Sequence, residues 1–142
     1  GMASGSPILV VGAAPAGPSL GRRIIVAWKD TREAARAIND AWPLLKAAES
    51  VTVLMAAKHA NPTSDSMMSA HFEKHGCKNV EFVVDDDDKL ETADVIRKHV
   101  SRLNADLVVL GLFGHSRLQE FILGGVSHDL LEQPPVPLLM SH

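Results

Sequence analysis

Short apolar runs alternate along the chain with segments whose apolar residues recur at helical spacing. The runs lack the polar alternation of a half-exposed strand, which is typical of parallel strands buried on both faces. Between the runs, stripes such as Ala34, Ile38, Ala41 and Leu45 predict amphipathic helices. The predicted strands occupy residues 23–28, 51–56, 80–84, 107–110 and 136–140, and the helices begin near Thr31, Asp65, Glu91 and Val126.

This order of elements predicts an α/β fold. We expect a single open, mostly parallel five-stranded sheet with helices on both faces, right-handed crossovers and a Rossmann-like topology. In such sheets a ligand binds beyond the carboxyl ends of the strands, at the point where the strand order reverses. The functional residues are therefore expected in the loops that begin at Lys29, Ala57, Asp85 and Gly111.

Composition narrows the class of protein. The chain has 142 residues, 46% of them hydrophobic and 4% aromatic, which indicates one domain with an aliphatic core. A net charge of −3 without a clustered basic face argues against a nucleic-acid partner. No apolar run is long enough to span a membrane, so a membrane partner is not expected. A single cysteine, Cys77, predicts a reducing, cytoplasmic location.

The N-terminal residues look different from the rest. Residues 7–11 and 137–140 share a pattern, a proline followed by an apolar strand, and residues 12–22 are rich in Gly, Pro and Ala. Residues 7–11 therefore look like the last strand of a preceding unit, and residues 12–22 look like a linker. We divide the chain into residues 1–22, which contain a tag remnant, that leftover strand and the linker, and a domain at residues 23–142.

Glycines follow the fourth predicted strand and return before the last helix. They allow close approach of a ligand to the backbone, and the following helix offers free N–H groups to an anion. The spacing is neither a Walker A loop nor the dinucleotide GxGxxG pattern. Plain turns and a tight helix start explain the glycines equally well. The residues of the candidate phosphate cradle are Gly111, Gly114, His115, Arg117, Gly124, Gly125, Val126 and Ser127.

The spacing Gly-x2-Gly-x9-Gly-Gly, together with the apolar strand before it and Pro137–Met140 after it, resembles the ATP-binding signature of universal stress proteins. The chain looks like the second domain of a tandem member of that family, whose fold is adenine nucleotide hydrolase-like. The resemblance implies ATP as ligand, with Mg²⁺ as its companion ion, and a regulatory role in the stress response. It places the nucleoside half of the site at Ala27, Trp28, Lys29, Asp30 and Ala56.

Two positions depart from the family pattern. Lys29 stands where ATP-binding members carry Asp, and lysine cannot accept a hydrogen bond from adenine or ribose. Gly125 stands where the signature usually has Ser or Thr, which removes a hydroxyl but keeps the backbone N–H. Trp28 is expected to pack in the core, and stacking on a base is the alternative. These departures keep open a nucleotide-free stress protein that acts as a dimeric interaction module.

No catalytic residue is assigned, because the sequence shows neither a nucleophile–base pair nor a metal cluster. A conventional enzyme is therefore not expected, and slow ATP hydrolysis or a small-molecule enzyme of the same fold is a less favoured alternative. The aspartates at 85–88 are interpreted as a solvated turn beside a helix N-terminus. The alternative is that Asp30 or this acidic run holds Mg²⁺.

The second predicted helix carries a further metal pattern. Met67, Met68 and Phe72 are expected to face inward, whereas His71 and His75 lie four residues apart, with Cys77 following. That spacing places two imidazoles on one helix face. A fourth ligand is not evident, so the segment is interpreted as an ordinary amphipathic helix and no metal is assigned.

The last strand, residues 136–140, is expected at a sheet edge, where unpaired backbone groups seek a partner. The resemblance implies a homodimer through this strand. Residues 7–11 offer two other arrangements, because they are able to pair with residues 136–140 of their own chain or exchange between two chains.

Overall fold

The computed structural model describes residues 8–10, 21–28, 32–56, 62–77, 79–86, 89, 92–111, 130, 132 and 134–141. Within these ranges the chain forms six strands and three helices. Leu130 and Glu132 are also helical, and the rest of the helix predicted from Val126 lies outside the described residues. The elements are β1 (Ile8–Val10), β2 (Arg23–Ala27), α1 (Arg32–Ala47), β3 (Ser50–Ala56), α2 (Pro62–Lys74), β4 (Val80–Asp85), α3 (Thr92–Leu103), β5 (Leu107–Gly111) and β6 (Leu138–Ser141).

One sheet organises the fold, with strand order β1-β6-β5-β2-β3-β4. Strands β2 to β6 run parallel, and β1 is antiparallel to β6. The α/β class and an open sheet built on the five predicted parallel strands are therefore confirmed, and β1 adds a sixth, antiparallel strand. The order along the sheet reverses between β2 and β5, so the switch point lies at the carboxyl ends of these two strands.

Two hydrophobic clusters cover the two faces of the sheet. The first cluster joins α1 and α2 to one face and includes Ile38 and Phe72. The second joins α3 to the opposite face and includes Ile96, Leu110 and Leu130. Helices thus pack on both faces, as predicted, because the continuous apolar strands expose apolar side chains on both sides. Aliphatic residues form most of both clusters.

Residues 8–10 pair with the last strand, so that it does not lie at the edge of the sheet. Ile8 pairs with Met140 and Val10 with Leu138, so β1 occupies the outer edge of β6. The expectation that the last strand lies at the sheet edge is therefore wrong, because β1 satisfies the backbone groups that β6 would expose. Of the two arrangements that the repeated pattern allows, the structure shows pairing within one chain.

One boundary of α2 and the position of one of its side chains differ from the sequence prediction. The helix begins at Pro62, earlier than expected, and proline at a first helical position loses no intrahelical hydrogen bond. Met68 and Phe72 are buried, but Met67 is 69% exposed. Residues four apart share a helix face, whereas adjacent residues are turned by about 100°. Met67 was therefore wrongly placed in the core.

Asp106 fixes the start of the first parallel strand. Its carboxylate accepts backbone N–H hydrogen bonds from Gly21 at 3.1 Å, Arg22 at 3.0 Å and Arg23 at 3.1 Å. Gly21 has φ of 85°, a conformation that side-chain-bearing residues rarely adopt. This contact holds β2 in register beside β5 and so positions the carboxyl ends of both strands.

Candidate functional site

The carboxyl ends of three strands meet at the switch point. Ala27, at the end of β2, lies between Leu54 of β3 and Leu110 of β5. The backbone N–H of Trp28 donates to the Leu54 carbonyl at 2.9 Å and extends the ladder by one residue. Gly111 then ends β5 beside Ser141. The structure thus brings the predicted nucleoside half of the site next to the start of the predicted phosphate half.

Four predicted site residues lie in the described part of the chain: Ala27, Trp28, Ala56 and Gly111. None of them carries a charge, and three are alanine or glycine. Ala27 is 7% exposed and packs in the second hydrophobic cluster. The remaining predicted residues lie outside the described residues; they are Lys29, Asp30, Gly114, His115, Arg117, Gly124, Gly125, Val126 and Ser127.

Trp28 follows the strand end, but its ring does not face a ligand. The side chain is 7% exposed and belongs to the core cluster beneath α1, together with Ala34 and Ile38. The expectation of a packing role is confirmed. Stacking on a base would require the indole to leave this cluster, at a substantial loss of buried apolar area.

A buried serine lies next to the end of β5 and was missed in the sequence. Ser141 is 1% exposed, and its hydroxyl donates to Oδ2 of Asp40 on α1 at 2.5 Å. The hydrogen bond ties α1 to the end of β6, one strand away from Gly111. A serine directly at the end of an apolar strand is the sequence signal for a buried polar contact. Its partner, however, lies in a distant part of the sequence.

The first residue of the acidic run is not part of a solvated turn. Asp85 is the last residue of β4, in register with Ala56, and its side chain is 8% exposed. Its Oδ2 lies 2.7 Å from Nε2 of His99 and 2.9 Å from Nζ of Lys98. The solvated-turn interpretation is therefore wrong for Asp85, because the strand continues one residue further and carries the carboxylate under α3. Asp86 is exposed.

Hydrogen bonding indicates which ring nitrogen of His99 carries the hydrogen. Nη2 of Arg102 lies 3.3 Å from Nδ1 of His99, and an arginine can only donate. Nδ1 is therefore the acceptor, and Nε2 carries the hydrogen that is donated to Asp85. Sequence reasoning missed His99, although it follows the inward-facing Ile96 by three residues and so falls on the buried side of α3. This pair uses the Asp85 carboxylate, so Asp85 does not fit a Mg²⁺ ligand.

An aromatic cluster on α2 lies away from the switch point. The rings of Trp42 and His75 stack with centroids 4.1 Å apart, and His71 and His75 lie 4.9 Å apart. Partial desolvation lowers the pKa of His75, and the nearby His71, Lys46 and Lys74 lower it further. Among the described residues, no group of three or more His, Cys, Asp or Glu side chains is arranged to hold a metal ion.

Cys77 lines a small cavity at the opposite edge of the sheet. The cavity has a volume of about 200 Å³ and is bordered by Lys46 and Gly76 as well as by Val51, which lies near the start of β3. Burial raises the pKa of the Cys77 thiol, so the thiolate is disfavoured. This cavity is separate from the predicted nucleotide site, since it lies at the amino ends of the strands.

The C-terminal part of the chain matches a known protein family. Residues 78–142, which include the whole glycine-rich segment, match a family model described as the universal stress protein family. This part of the chain is therefore similar to the universal stress protein family. A comparison with curated proteins finds no match. The resemblance inferred from the glycine spacing is thus confirmed for the family, while the tandem arrangement remains a prediction.

Solved structures of universal stress proteins share the fold. One from Archaeoglobus fulgidus DSM 4304 has 19% identity and a TM-score of 0.72, covering 94% of this chain and 48% of its own. UspA from Lactobacillus plantarum has 14% identity and a TM-score of 0.61, with coverages of 87% and 99%. A universal stress protein in complex with cAMP has 19% identity and a TM-score of 0.65, with coverages of 87% and 98%. The chain therefore spans about half of the first relative and nearly all of the other two.

The helices give no sign of membrane insertion. In the described ranges, every helix is too short or too polar to cross a bilayer.

Proposed function

We propose that this universal stress protein domain binds an adenine nucleotide at the carboxyl edge of its sheet and regulates a stress-response partner through its bound state. The observation that carries the proposal is the position of Gly111. It ends β5 at the switch point and opens the glycine-rich segment inside the part of the chain that matches the family. A similar solved fold is a complex with cAMP, which supports an adenine ligand.

The two halves of the proposed site have different chemistry. The described strand ends, Ala27, Ala56 and Gly111, are proposed to supply backbone groups for the base. Backbone N–H groups of Gly114 and of residues 124–126, with the Ser127 hydroxyl, are proposed to hold the phosphates. When ATP is bound, Mg²⁺ neutralises phosphate charge, and Asp30 is the proposed ligand because Asp85 is engaged by His99.

Lys29 decides which adenine nucleotide is favoured. It directly follows Trp28 in the sequence, and the family resemblance assigns it to the nucleoside half of the site. Lysine cannot accept the ribose hydroxyl hydrogen bonds, but it pairs with an anion. A cyclic phosphate on the ribose supplies such an anion, whereas the phosphates of ATP extend away from the ribose. The affinities of the domain for ATP and for cAMP are therefore to be compared directly.

Isothermal titration calorimetry on the full chain tests the proposal. Binding of ATP or cAMP at one site per chain is expected, and Gly124→Val should abolish it, because a branched side chain blocks the approach of the phosphates. Ser101→Val, at an exposed position of α3, serves as the matched control and should bind like the parent chain. No binding of either nucleotide, or equal binding by the Gly124→Val chain, would contradict the proposal.

The second candidate is a nucleotide-free dimer that acts as an interaction module in the cytoplasm. The pairing of β1 with β6 favours it, because a three-residue strand beyond a linker is able to pair in the same register with a second copy. Leu9 in this strand is 47% exposed, so β1 also offers an uncovered apolar side chain. Exchange of β1 between two chains would preserve every backbone hydrogen bond seen within one.

Removal of residues 1–20 tests the second candidate. The shortened chain bares the edge of β6 and is expected to self-associate, which light scattering detects as an increased mass. The single substitution Leu9→Lys keeps the strand but charges its exposed side chain, and serves as the control for β1 contacts between copies. If the full and the shortened chain are both soluble monomers at high concentration, pairing through this edge is wrong, and nucleotide binding is unaffected by that result.

A further inference from the structure

We propose that His71 and His75 form a binding site for a late first-row divalent transition-metal ion, of the class of Cu²⁺, Ni²⁺ and Zn²⁺. His71 lies in the last turn of α2, and His75 directly follows the last helical residue, with its backbone N–H donating to the His71 carbonyl at 3.2 Å. The four-residue spacing therefore places both rings on one side of the helix end. The site is separate from the proposed nucleotide site, and a neutral imidazole nitrogen is a preferred ligand for these ions.

The spacing of the two rings fits shared coordination. Their centroids lie 4.9 Å apart, with an angle of 76° between the ring planes. Imidazole nitrogens bind these ions at about 2.1 Å, which puts each centroid roughly 3.2 Å from the ion. At N–metal–N angles of about 90–110°, two such rings stand roughly 4.5–5.3 Å apart. The observed centroid distance lies inside that range.

Neighbouring side chains hold one of the two ligands in place. The His75 ring is stacked on Trp42 at 4.1 Å with an interplanar angle of 11°. Trp42 is itself fixed, because its Nε1–H donates to Oδ1 of Asn39 at 3.1 Å and its ring packs against Phe72. Holding a ligand in advance reduces the entropy lost on binding. The His71 side chain is exposed, so water can complete the coordination.

Local charge limits which ions bind and how tightly. Lys46 and Lys74 place positive charge near His75 and oppose any cation. Hard ions such as Mg²⁺ and Ca²⁺ depend on oxygen ligands and are expected not to bind here. Ions with strong affinity for imidazole overcome the repulsion, with Cu²⁺ the tightest of the series. Lys46→Gln removes one repelling charge and should therefore strengthen metal binding.

The test uses Trp42 as a reporter. Trp28→Phe in the full chain leaves Trp42 as the single tryptophan of the two in the sequence. Titration with Cu²⁺ is expected to quench its fluorescence with one ion per chain, because the ion binds to the ring stacked on the indole. His71→Gln and His75→Gln should each weaken Cu²⁺ binding by at least about tenfold. Equilibrium dialysis provides a second measurement that does not depend on the stacking.

Two variants serve as matched controls. Cys77→Ser removes the nearest thiol, and His128→Gln lowers the histidine count by one elsewhere in the chain; both should bind Cu²⁺ like the parent. Circular dichroism checks that each variant is folded. Full quenching in the His71→Gln chain, or an equal loss of affinity in either control, would overturn the proposal.

Discussion

The hydroxyl of Ser141 donates a hydrogen bond to the carboxylate of Asp40 at 2.5 Å, across 101 positions of the sequence. It connects the last residue of β6 with the middle of α1, and Ser141 itself is almost inaccessible to solvent. Since β6 lies beside β5, this contact also fixes the surroundings of Gly111 at the switch point.

Ser141→Ala is expected to reduce the free energy of unfolding by about 1–2 kcal/mol, because a hydrogen bond to a charged acceptor is lost in a buried position. Urea unfolding measures the change. Ser101→Ala, at an exposed position of α3, is the matched control and should change stability by less than about 0.5 kcal/mol. Equal effects of the two substitutions would show that the contact with Asp40 adds no stability.

His99→Leu should be among the most destabilising single changes in α3. It leaves the Asp85 carboxylate, which is 8% exposed, without its shortest partner, and an uncompensated buried charge typically costs about 3–5 kcal/mol. Lys98 also contacts Asp85, which reduces the loss, so we expect about 2–4 kcal/mol. Lys98→Gln removes a half-exposed partner and should cost under about 1 kcal/mol. Similar losses for the two variants in thermal or urea unfolding would contradict this ranking.

The lowered pKa of His75 predicts how stability depends on pH. The unfolded chain, with an ordinary histidine pKa of about 6.5, binds a proton more readily than the folded chain does. The contribution of His75 is therefore fully present above that ordinary value. It is lost as the pH falls from the ordinary value toward the lower folded value. His75→Gln should remove this part of the pH dependence in unfolding experiments between pH 5 and 8, which are compared with the parent chain. An identical slope for both chains would show that His75 does not titrate differently on folding.

Lys29→Asp tests the nucleoside half of the proposed site. Aspartate restores an acceptor for the ribose hydroxyls, so the affinity for ATP should rise relative to inorganic triphosphate. The affinity for cAMP should fall, because the new carboxylate faces the cyclic phosphate. Calorimetry with the three ligands gives the ratios. Unchanged ratios would place Lys29 outside the site.

The glycine spacing and the apolar runs were sufficient to predict the family and the class of fold. Each run buries both of its faces, and this periodicity is a local property of neighbouring residues. The same patterns correctly placed Phe72 and Ile96 in the core, whereas the first parallel strand, expected to end at Trp28, ends at Ala27. The prediction that Met67 and Met68 both face inward was correct for Met68 and wrong for Met67, because adjacent helical residues are turned by about 100° and do not share a face.

The alternation of strands and helices, the family signature and the candidate ligand residues could therefore be predicted from the sequence. The contacts between distant groups became known from the fold: β1 against the edge of β6, Ser141 against Asp40, and His99 against Asp85. These contacts depend on strand order, register and helix placement, and a polar residue in a helical or strand pattern does not show which partner lies across the fold. A buried polar group must find such a partner, but its sequence neighbours do not specify which one.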